Sequence, residues 1–421
     1  MSRLVKYKNY IYLLIFFIFF SFLTVNAKKI GHFAKPHISE SIYHILVVVF
    51  DNKTTFKKYS NDYNVKFLPK TELINLNFSK IKINIENDVS GYLTKKPTRS
   101  FFLENYNNNL IIFSKSGDIS FIRTSILINN QLAHAGKYQK KINSNLKIEK
   151  VLDTYLEDDK IYISFVSNLG SSCEKLNLAK GKIDLKNINF KVFYSTGECA
   201  TSIQSGKITI VTGKIKKIYL STAADVLKNT DEQDPKPQDP KSIWGKVLEF
   251  NSENDMPLVF SSGHRNILGL MTDNGRIIST ENGPAGGDEI NLLVKNENYG
   301  WDVASFGKKY SASFDNFNYQ DHEEMGFKEP IFSFLPSLGI SQIIKIPNSF
   351  NRRWKDNYLI GTLSSRHLLR IKFDQNYSKL MFVEKIFIGE RIRDLVYLNK
   401  EKFVVLALEE SGSLGILANI K

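Results

Sequence analysis

Two arginines near the C-terminal end of the chain have a spacing that suits anion binding. The segment reads Arg391-Ile392-Arg393-Asp394. Residues two apart in an extended strand point to the same side, so Arg391 and Arg393 would aim two guanidinium groups at one spot. Guanidinium groups bind carboxylates and phosphates through paired hydrogen bonds. The spacing indicates a clamp for a polyanion, and the alternative is a pair of arginines on a solvated strand face.

Two segments in the middle of the chain carry further chemically useful groups. In Gly263-His264-Arg265-Asn266, a guanidinium follows a glycine that permits a tight turn; the alternative is a surface arginine in a loop. The segment Glu281–Asn291 combines carboxylates with a turn rich in glycine and proline. Calcium binds carboxylate oxygens and turn carbonyls. This segment therefore suits a calcium ion, with an ordinary glycine-rich turn as the alternative.

A strand-and-turn pattern must position these groups, because it recurs six times along the chain. Each run rich in Ile, Val, Tyr, Leu and Phe is followed by a polar turn and a second run. The six runs begin at Leu110, Ile161, Ile218, Arg276, Tyr358 and Phe403. Repeated strands at intervals of about 50 to 60 residues are typical of propeller blades. The sequence predicts an all-β fold, a six-bladed β-propeller over residues 96–421, with a rim insertion in the long interval 300–353.

The N-terminal residues have the order of features found in a secretory signal peptide. Arg3, Lys6 and Lys8 precede an apolar run that ends at Val25-Asn26-Ala27. Residues 1–27 are interpreted as this signal, which predicts a periplasmic or secreted protein with no membrane span after cleavage. The apolar run is close to the length of a spanning helix, so an uncleaved N-terminal anchor is the alternative. Residues 28–95 contain two alternating runs and are interpreted as a β-rich extension of unassigned role.

Charge and cysteine content narrow the choice of partners. The formal net charge is +14, but the lysines are scattered and form no stripe with interleaved aromatic residues, which argues against a nucleic-acid partner. Cys173 and Cys199 are the two cysteines. In an oxidising compartment a disulfide between them is plausible, whereas two cysteines alone make no zinc site.

Taken together, the three segments resemble one known family. The runs 263–266, 281–284, 287–292 and 298–301 are similar to motifs of the soluble glucose/sorbosone dehydrogenases, as are 245–248, 361–363 and 391–394. The similarity is strong from about residue 240 onward and weak before it. These dehydrogenases use pyrroloquinoline quinone (PQQ) and calcium on a six-bladed propeller.

The resemblance implies a role for each matching residue. Arg265 and Asn266 would contact the quinone cofactor, and Arg391 with Arg393 would hold its carboxylates. Gly283 and Pro284 would give carbonyl oxygens to the calcium ion that polarises the quinone. Ligands of a second, structural calcium would be Glu289 and the carbonyl of Tyr299. These groups are expected to converge on one pocket. His264 lies within a family motif and is interpreted as a structural, hydrogen-bonding histidine.

The base that family members place ahead of the third blade is missing. A histidine there takes the proton from the sugar hydroxyl as hydride leaves. The matching segment reads Ser202-Ile203-Gln204-Ser205, which puts Ile203 at the base position. Isoleucine cannot accept a proton, so no catalytic residue is identified.

Two hypotheses follow from this sequence. The first is a quinoprotein that oxidises an aldose or related polyol with PQQ and calcium, with activity impaired at Ile203. The second is a non-catalytic exported propeller that binds a saccharide or a protein.

Overall fold

The computed structural model describes residues 66–67, 71, 73–86, 98–128, 134–168, 173–224, 234–251, 256–284, 286–307 and 320–420. All of them belong to one compact unit, Asn61–Lys421. The predicted signal peptide, 1–27, and the greater part of the predicted extension, 28–95, lie outside these ranges. Within the ranges, no helix is long and apolar enough to cross a bilayer.

Almost all regular structure in these ranges is β-sheet. The strands are β1 (Lys66–Phe67), β2 (Asn75–Lys82), β3 (Phe101–Tyr106), β4 (Asn109–Ser114), β5 (Ile119–Arg123), β6 (Lys140–Ser144), β7 (Lys150–Glu157), β8 (Lys160–Asn168), β9 (Glu174–Lys182), β10 (Asn187–Ile188), β11 (Lys191–Ser195), β12 (Ile203–Ser205), β13 (Ile208–Val211), β14 (Lys217–Ala224), β15 (Lys246–Phe250), β16 (Leu258–Ser262), β17 (Ile267–Asp273), β18 (Arg276–Glu281), β19 (Asp288–Leu293), β20 (Phe332–Phe334), β21 (Ile340–Lys345), β22 (Tyr358–Thr362), β23 (His367–Phe373), β24 (Leu380–Phe387), β25 (Ile392–Leu398), β26 (Phe403–Leu408) and β27 (Ser413–Ile420). The helical segments in the same ranges are the α-helix α1 (Thr124–Leu127) and the 3-10 helices Gly136–Tyr138 and Arg352–Trp354.

The strands form six sheets, one for each predicted blade. Blade 1 is β3-β4-β5-β6 with β10 added beside β6, and blade 2 is β7-β8-β9-β11. Blade 3 is β13-β14-β15-β16, with β12 also paired to β14. Blades 4 and 5 are β17-β18-β19-β20 and β21-β22-β23-β24, and blade 6 is β25-β26-β27-β2-β1. The first strands β3, β7, β13, β17, β21 and β25 contact one another in a closed ring. The prediction of a six-bladed β-propeller is confirmed.

The six runs that revealed the repeat are the second strands of the six blades, β4, β8, β14, β18, β22 and β26. A second strand lies inside its sheet and packs on both neighbouring blades, so it is apolar on both faces. In β4, the side chains of Leu110, Ile111, Ile112 and Phe113 are all fully buried. Burial on two faces explains why these strands were the clearest feature of the sequence.

Strand β2 closes the ring. It lies within the predicted extension 28–95 and pairs with β27 over its whole length, from Asn75 opposite Ile420 to Lys82 opposite Ser413. Its side chains enter two cores, that between blades 5 and 6 and that between blades 6 and 1. This part of the predicted extension therefore contributes an outer strand to the last blade.

Contacts between blades show that the first strands all start at one end of the propeller. Ser205, just ahead of β13, donates from Oγ to the carbonyl of Ile267 at the start of β17 (2.5 Å). Oδ2 of Asp394, near the start of β25, accepts from the N–H of Leu103 near the start of β3 (2.8 Å). Strands alternate in direction within each blade, so the turns between second and third strands lie at this same end. We call it the upper end.

The long interval 300–353 contains two ordinary blade strands as well as extra chain. β20 is the outer strand of blade 4, and β21 is the first strand of blade 5. The additional residues therefore lie between β19 and β20, within blade 4, which locates the insertion predicted for this interval. Residues 308–319 of this stretch lie outside the described ranges.

Cys173 and Cys199 form a disulfide, with their Cα atoms 5.0 Å apart. They flank the bridge that pairs Glu174 with Ala200. Cys173 lies in the turn between β8 and β9, and Cys199 lies in the connection from blade 2 to blade 3. The bond ties this connection to blade 2 at the upper end.

Candidate functional site

Arg391 and Arg393 share one buried carboxylate at the upper end. Arg391 immediately precedes β25, and Arg393 is the second residue of that strand. Nε of Arg391 donates to Oε1 of Glu409 at 2.5 Å, and Nε of Arg393 donates to Oε2 at 2.7 Å. Glu409 lies in the turn between β26 and β27 and is fully buried. The two guanidinium groups therefore meet at one point, on an internal carboxylate.

The surroundings of Glu409 keep it ionised. Burial by itself would raise its pKa, but the charges and hydrogen bonds of Arg393 and Arg391 lower that pKa to about 2. Oγ of Ser100, at the start of blade 1, also donates to Oε2 (2.9 Å). The arginine side chains remain 21% and 20% exposed, and their Nη atoms donate to no group in the described part of the chain. These Nη atoms are the ones that an anion could contact.

Arg265 lies just before β17 and is buried. Its Nη1 donates to the carbonyl oxygens of Asn282 at 2.8 Å and Gly283 at 2.9 Å. The guanidinium also lies 5.2 Å from the centre of the Trp301 ring, where the negative face of an indole attracts a cation. The neighbouring Asn266 has a buried Oδ1 with no hydrogen-bond partner among the described residues. Buried amide oxygens normally have partners, so Asn266 suits a donor supplied from outside the chain.

His264 has a structural role, as the sequence led us to expect. Its Nε2 lies 2.8 Å from Oγ of Ser261, and its Nδ1 lies 3.0 Å from Oε2 of Glu281. The ring stacks on Tyr299 with centroids 4.8 Å apart. Glu281 also accepts the backbone N–H of Arg265. Because His264, Ser261 and Glu281 are all buried, they fix the start of blade 4 and are closed to a substrate.

The turn that carries Gly283 is built around Asp288, which is fully buried. Oδ1 accepts from the N–H of Gly283 at 3.1 Å. Oδ2 accepts from the N–H groups of Leu338 at 2.8 Å, Gly339 at 2.6 Å and Ile340 at 3.2 Å. Burial raises the pKa of this carboxyl, and the hydrogen bonds oppose that rise. Asp288 thus joins the turn of blade 4 to the start of blade 5.

The donor atoms that the resemblance assigns to the first calcium fit such an ion. Gly283 O accepts from Arg265 Nη1, and Pro284 O accepts from the N–H of Gly286 at 2.9 Å. A carbonyl oxygen has two lone pairs, so each keeps one for a cation. A Cβ at residue 283 would lie 2.2 Å from the carbonyl oxygen of Gly287, so only glycine permits this turn. Tight-turn carbonyls are oxygen donors of the kind calcium takes.

The groups assigned to the second calcium also suit a hard cation. Glu289 is buried directly opposite Glu281 in the paired strands β19 and β18, and burial together with the charge of Glu281 raises the pKa of Glu289. Asn291 donates from Nδ2 to Glu289 at 3.2 Å, while its buried Oδ1 has no partner in the described ranges. His322 donates to the carbonyl of Tyr299 and lies 3.9 Å from Glu289. Two adjacent buried carboxylates are costly unless a cation compensates them.

Ile203 lies in the hydrophobic core between blades 2 and 3 and is fully buried. The same core contains Leu152, Leu176 and Ala200. The backbone N–H of Ile203 donates to Oε2 of Glu174 at 2.7 Å. An aliphatic side chain enclosed in this way neither accepts a proton nor touches a substrate.

A polar cluster that the sequence did not reveal lies among the first strands. Lys207 forms a buried ion pair with Asp153 of β7, and Glu104 of β3 and Asp394 of β25 lie close to them. Burial, reinforced by the charges of Asp394 and Asp153, raises the pKa of Glu104 to about 8. Burial raises the pKa of Asp153 to about 6, against the opposing charge of Lys207. The four residues come from distant parts of the chain, so no spacing in the sequence links them.

The loop ahead of β15 supports Trp301 from outside the predicted motifs. Nε2 of Gln238 donates to the carbonyl of Trp301 at 2.6 Å, and the side-chain amides of Gln238 and Asn298 bond reciprocally at 3.2 and 2.7 Å. Lys246 is buried and donates to the carbonyl of Pro237 at 2.7 Å. Lys246 is the first residue of β15 and directly precedes the apolar pair Val247-Leu248, and this position was the one feature that could have indicated a buried ammonium group.

A family model described as Glucose / Sorbosone dehydrogenase matches residues 94–416 of the chain. The matched stretch contains every site residue discussed above. It also contains the strands from β3 to β26, together with the first half of β27.

Individual relatives and solved structures that are similar to this chain also include sugar dehydrogenases. The aldose sugar dehydrogenase YliI of Escherichia coli is 27% identical over 44% of this chain and 53% of its own length. Among three curated relatives, the matches span between 36% and 53% of the relative's length. A crystal structure of glucose dehydrogenase superposes with a TM-score of 0.66 at 18% identity, covering 82% of this chain and 99% of the other. The PQQ-bound aldose sugar dehydrogenase of Streptomyces coelicolor gives 0.56 at 16% identity, covering 84% and 100%. At these identities the structural matches establish the fold alone.

Proposed function

The chain belongs to the glucose/sorbosone dehydrogenase family, and on that premise we propose that it is a periplasmic or secreted quinoprotein that binds PQQ and calcium at the upper end of the propeller. The proposed substrate is an aldose or a related polyol. Its oxidation is proposed to be impaired, because Ile203 occupies the position of the proton acceptor.

The observation that carries the cofactor proposal is the pairing of Arg391 with Arg393 on Glu409. Two guanidinium groups fixed side by side, with their outer nitrogens unused in the described part of the chain, suit a ligand with several carboxylates. Arg265 and the unpartnered Oδ1 of Asn266 lie at the same end of the propeller and would contact the quinone ring system.

The calcium proposal rests on the turn after β18. The carbonyls of Gly283 and Pro284 would hold the ion, and Asp288 fixes the turn that presents them. When bound, PQQ with calcium supplies an electrophilic quinone that accepts hydride from a sugar carbon. The residues of the chain would orient that quinone and keep it at the upper end.

The impairment follows from the loss of a base at residue 203. A positioned general base contributes about 10²- to 10⁴-fold to such a reaction. Ile203 is enclosed in the core between blades 2 and 3, and His264 is closed off by its own hydrogen bonds. We expect sugar oxidation slower than that of a base-containing relative by a factor of this order.

The test is calorimetric titration of the purified exported protein with PQQ in calcium, followed by dye reduction with a panel of aldoses. We expect stoichiometric binding and slow turnover. The double substitution Arg391→Gln with Arg393→Gln should abolish binding. Arg123→Gln is the matched control, because Arg123 is exposed at the end of β5, at the opposite end of the propeller, and should leave binding unchanged.

The alternative is a non-catalytic exported propeller that binds a saccharide or a protein, and the burial of Ile203 favours it. Tight PQQ binding without any turnover would indicate a cofactor-binding protein that has lost catalysis. If PQQ does not bind at all, the quinoprotein proposal is wrong and the binding propeller remains.

A further inference from the structure

Glu409 contacts the two arginines of the proposed cofactor site but cannot itself contact a ligand, because it is fully buried. We propose that Glu409 is a positioning residue that holds Arg391 and Arg393 as one preorganised anion-binding pair. This inference rests on the proposed function of the arginines and assigns a role to a residue that no motif identifies.

The geometry of the three side chains supports this role. Each arginine uses Nε to bind a different oxygen of the same carboxylate, at 2.5 and 2.7 Å. An arginine held through Nε keeps both Nη atoms for another partner. The shared carboxylate therefore sets the direction of both guanidinium groups and leaves their outer edges to a ligand.

The repulsion between the two guanidinium groups is a second reason to assign a positioning role to the Glu409 carboxylate. Two guanidinium groups directed at one spot repel each other, and long arginine side chains lose considerable rotamer freedom when they are ordered. Glu409 reduces the repulsion between Arg391 and Arg393 and orders both side chains before a ligand arrives. A ligand that binds to ordered groups does not have to supply that ordering itself.

The carboxylate is itself firmly held. Ser100 Oγ donates to Oε2 at 2.9 Å, the backbone N–H of Glu409 donates to the carbonyl of Arg391 at 3.1 Å, and the N–H of Arg99 donates to the carbonyl of Glu409 at 2.7 Å. Ser100 and Arg99 belong to the start of blade 1, whereas Glu409 and Arg391 belong to blade 6. Glu409 thus connects the arginine pair to the seam where the ring closes.

A positioning role and a simple charge effect predict opposite results for Glu409→Gln. Removal of a negative charge near an anion site should tighten anion binding if only net charge matters. Loss of the shared acceptor should weaken binding if position matters, by about 10- to 100-fold, by analogy with the loss of groups that orient metal ligands.

The experiment compares PQQ affinity, in calcium, among the full-length parent and three variants. Glu410→Gln is the matched control, because it replaces a carboxyl of the same turn whose ion pair is with Arg366. We expect Glu409→Gln to weaken PQQ binding by about 10- to 100-fold, Glu410→Gln to change it little, and Glu409→Asp to recover part of the loss. Equal or tighter binding by Glu409→Gln would overturn the proposal.

A second measurement separates this inference from the proposed function. In the protein without added PQQ, the rate at which phenylglyoxal modifies Arg391 and Arg393 is followed by peptide mass spectrometry. We expect both rates to rise in Glu409→Gln and to stay near the parent values in Glu409→Asp and Glu410→Gln. If the parent does not bind PQQ, the proposed function fails while this readout still tests Glu409. Unchanged modification rates in Glu409→Gln would contradict the positioning role.

Discussion

Three buried carboxylates determine where the chemically active groups lie at the upper end. Glu409 holds the two arginines of blade 6, Asp288 holds the turn that carries Gly283, and Glu281 holds the backbone of Arg265. A buried charge is costly unless several donors satisfy it, so each carboxylate tolerates little displacement of its partners. At the scale of single residues, buried acids therefore decide the geometry of the candidate site.

Because Ile203 is buried, we expect that a histidine introduced at this position cannot act as the missing base. Ile203→His should fail to restore sugar oxidation, because the imidazole would be buried among Leu152, Leu176 and Ala200. An unpaired polar ring in this core should cost about 2 kcal/mol or more of unfolding free energy. Urea denaturation and dye reduction measure the two effects. Ile203→Val is the control, with an expected cost of about 0.5–1.5 kcal/mol, and rapid turnover by Ile203→His would show that the site reorganises around a histidine.

Two glutamates should make stability depend on pH in opposite directions. Glu409 has its pKa lowered to about 2, so the stability it contributes is present above about pH 4.5 and is lost as the pH falls toward 2. Glu104 has its pKa raised to about 8, so the folded state favours its protonated form and stability is lost as the pH rises from about 4.5 to 8. Each effect should amount to a few kcal/mol.

The measurement is the free energy of unfolding in urea from pH 3 to pH 9. Glu104→Gln keeps a neutral group of the same shape beside Thr154 and should flatten the decline on the alkaline side. Glu409→Gln should flatten the decline on the acidic side. A parent curve that does not fall between pH 5 and pH 8 would contradict the assignment for Glu104.

At the scale of elements, the first and second strands of each blade have different roles. Second strands such as β22, with all five residues buried, supply the core and show an uninterrupted apolar run. First strands such as β25, whose residues include Arg393 and Asp394, line the central axis and carry the polar groups. The clear repeat of the sequence therefore marks the strands that hold the ring together, whereas the chemistry lies on strands with a weaker pattern.

The disulfide should stabilise one connection between elements. Cys173 and Cys199 are separated by 26 residues and tie the connection that leads to Ile203 onto blade 2. Replacing both cysteines by serine should lower the free energy of unfolding by about 2–4 kcal/mol. Thermal unfolding of the parent with and without a reductant checks the same bond. If the double variant is as stable as the parent under oxidising conditions, the bond does not contribute to the folded state.

At the scale of the whole molecule, stability depends on ring closure in blade 6, where the N-terminal strand β2 pairs with the C-terminal strand β27. β2 supplies Phe78, which is buried and packs against Gly415 of β27. Without this outer strand, the edge of β27 would expose unpaired backbone groups. Closure also brings Ser100 of blade 1 to Glu409 of blade 6, so the ring and the arginine pair are assembled by the same contact.

Phe78→Ala should therefore destabilise the whole propeller, by about 3–5 kcal/mol, because the cavity opens where the ring closes. Denaturation in urea measures the change. Ile215→Ala is the control, since Ile215 is 64% exposed, and it should change stability by less than about 0.5 kcal/mol. A cost for Phe78→Ala as small as that of the control would mean that β2 contributes little to closure.

The fold and the family do not by themselves establish an activity, because one fold carries many functions. Blades 4 and 6 of this chain carry Arg265, Arg391 and Arg393 and a tight glycine-containing turn, while the segment before blade 3 carries Ile203 inside the core. PQQ binding and sugar oxidation therefore have to be measured separately. The titration measures PQQ binding, and dye reduction then measures sugar oxidation.

The sequence by itself determined the features that depend on near neighbours along the chain. Alternation, apolar runs and turn residues predicted six blades, and the motifs around Arg265, Gly283 and Arg391 named candidate site residues that lie at the upper end. Only the tertiary structure decided that Arg391 and Arg393 bind Glu409, that β2 pairs with β27, and that Ile203 is enclosed between two blades. Each of these contacts joins residues that lie on different strands or turns and are brought together only in the folded chain. Their partners are set by how the strands of a blade and the neighbouring blades pack together, and a local pattern of residues carries no information about that packing.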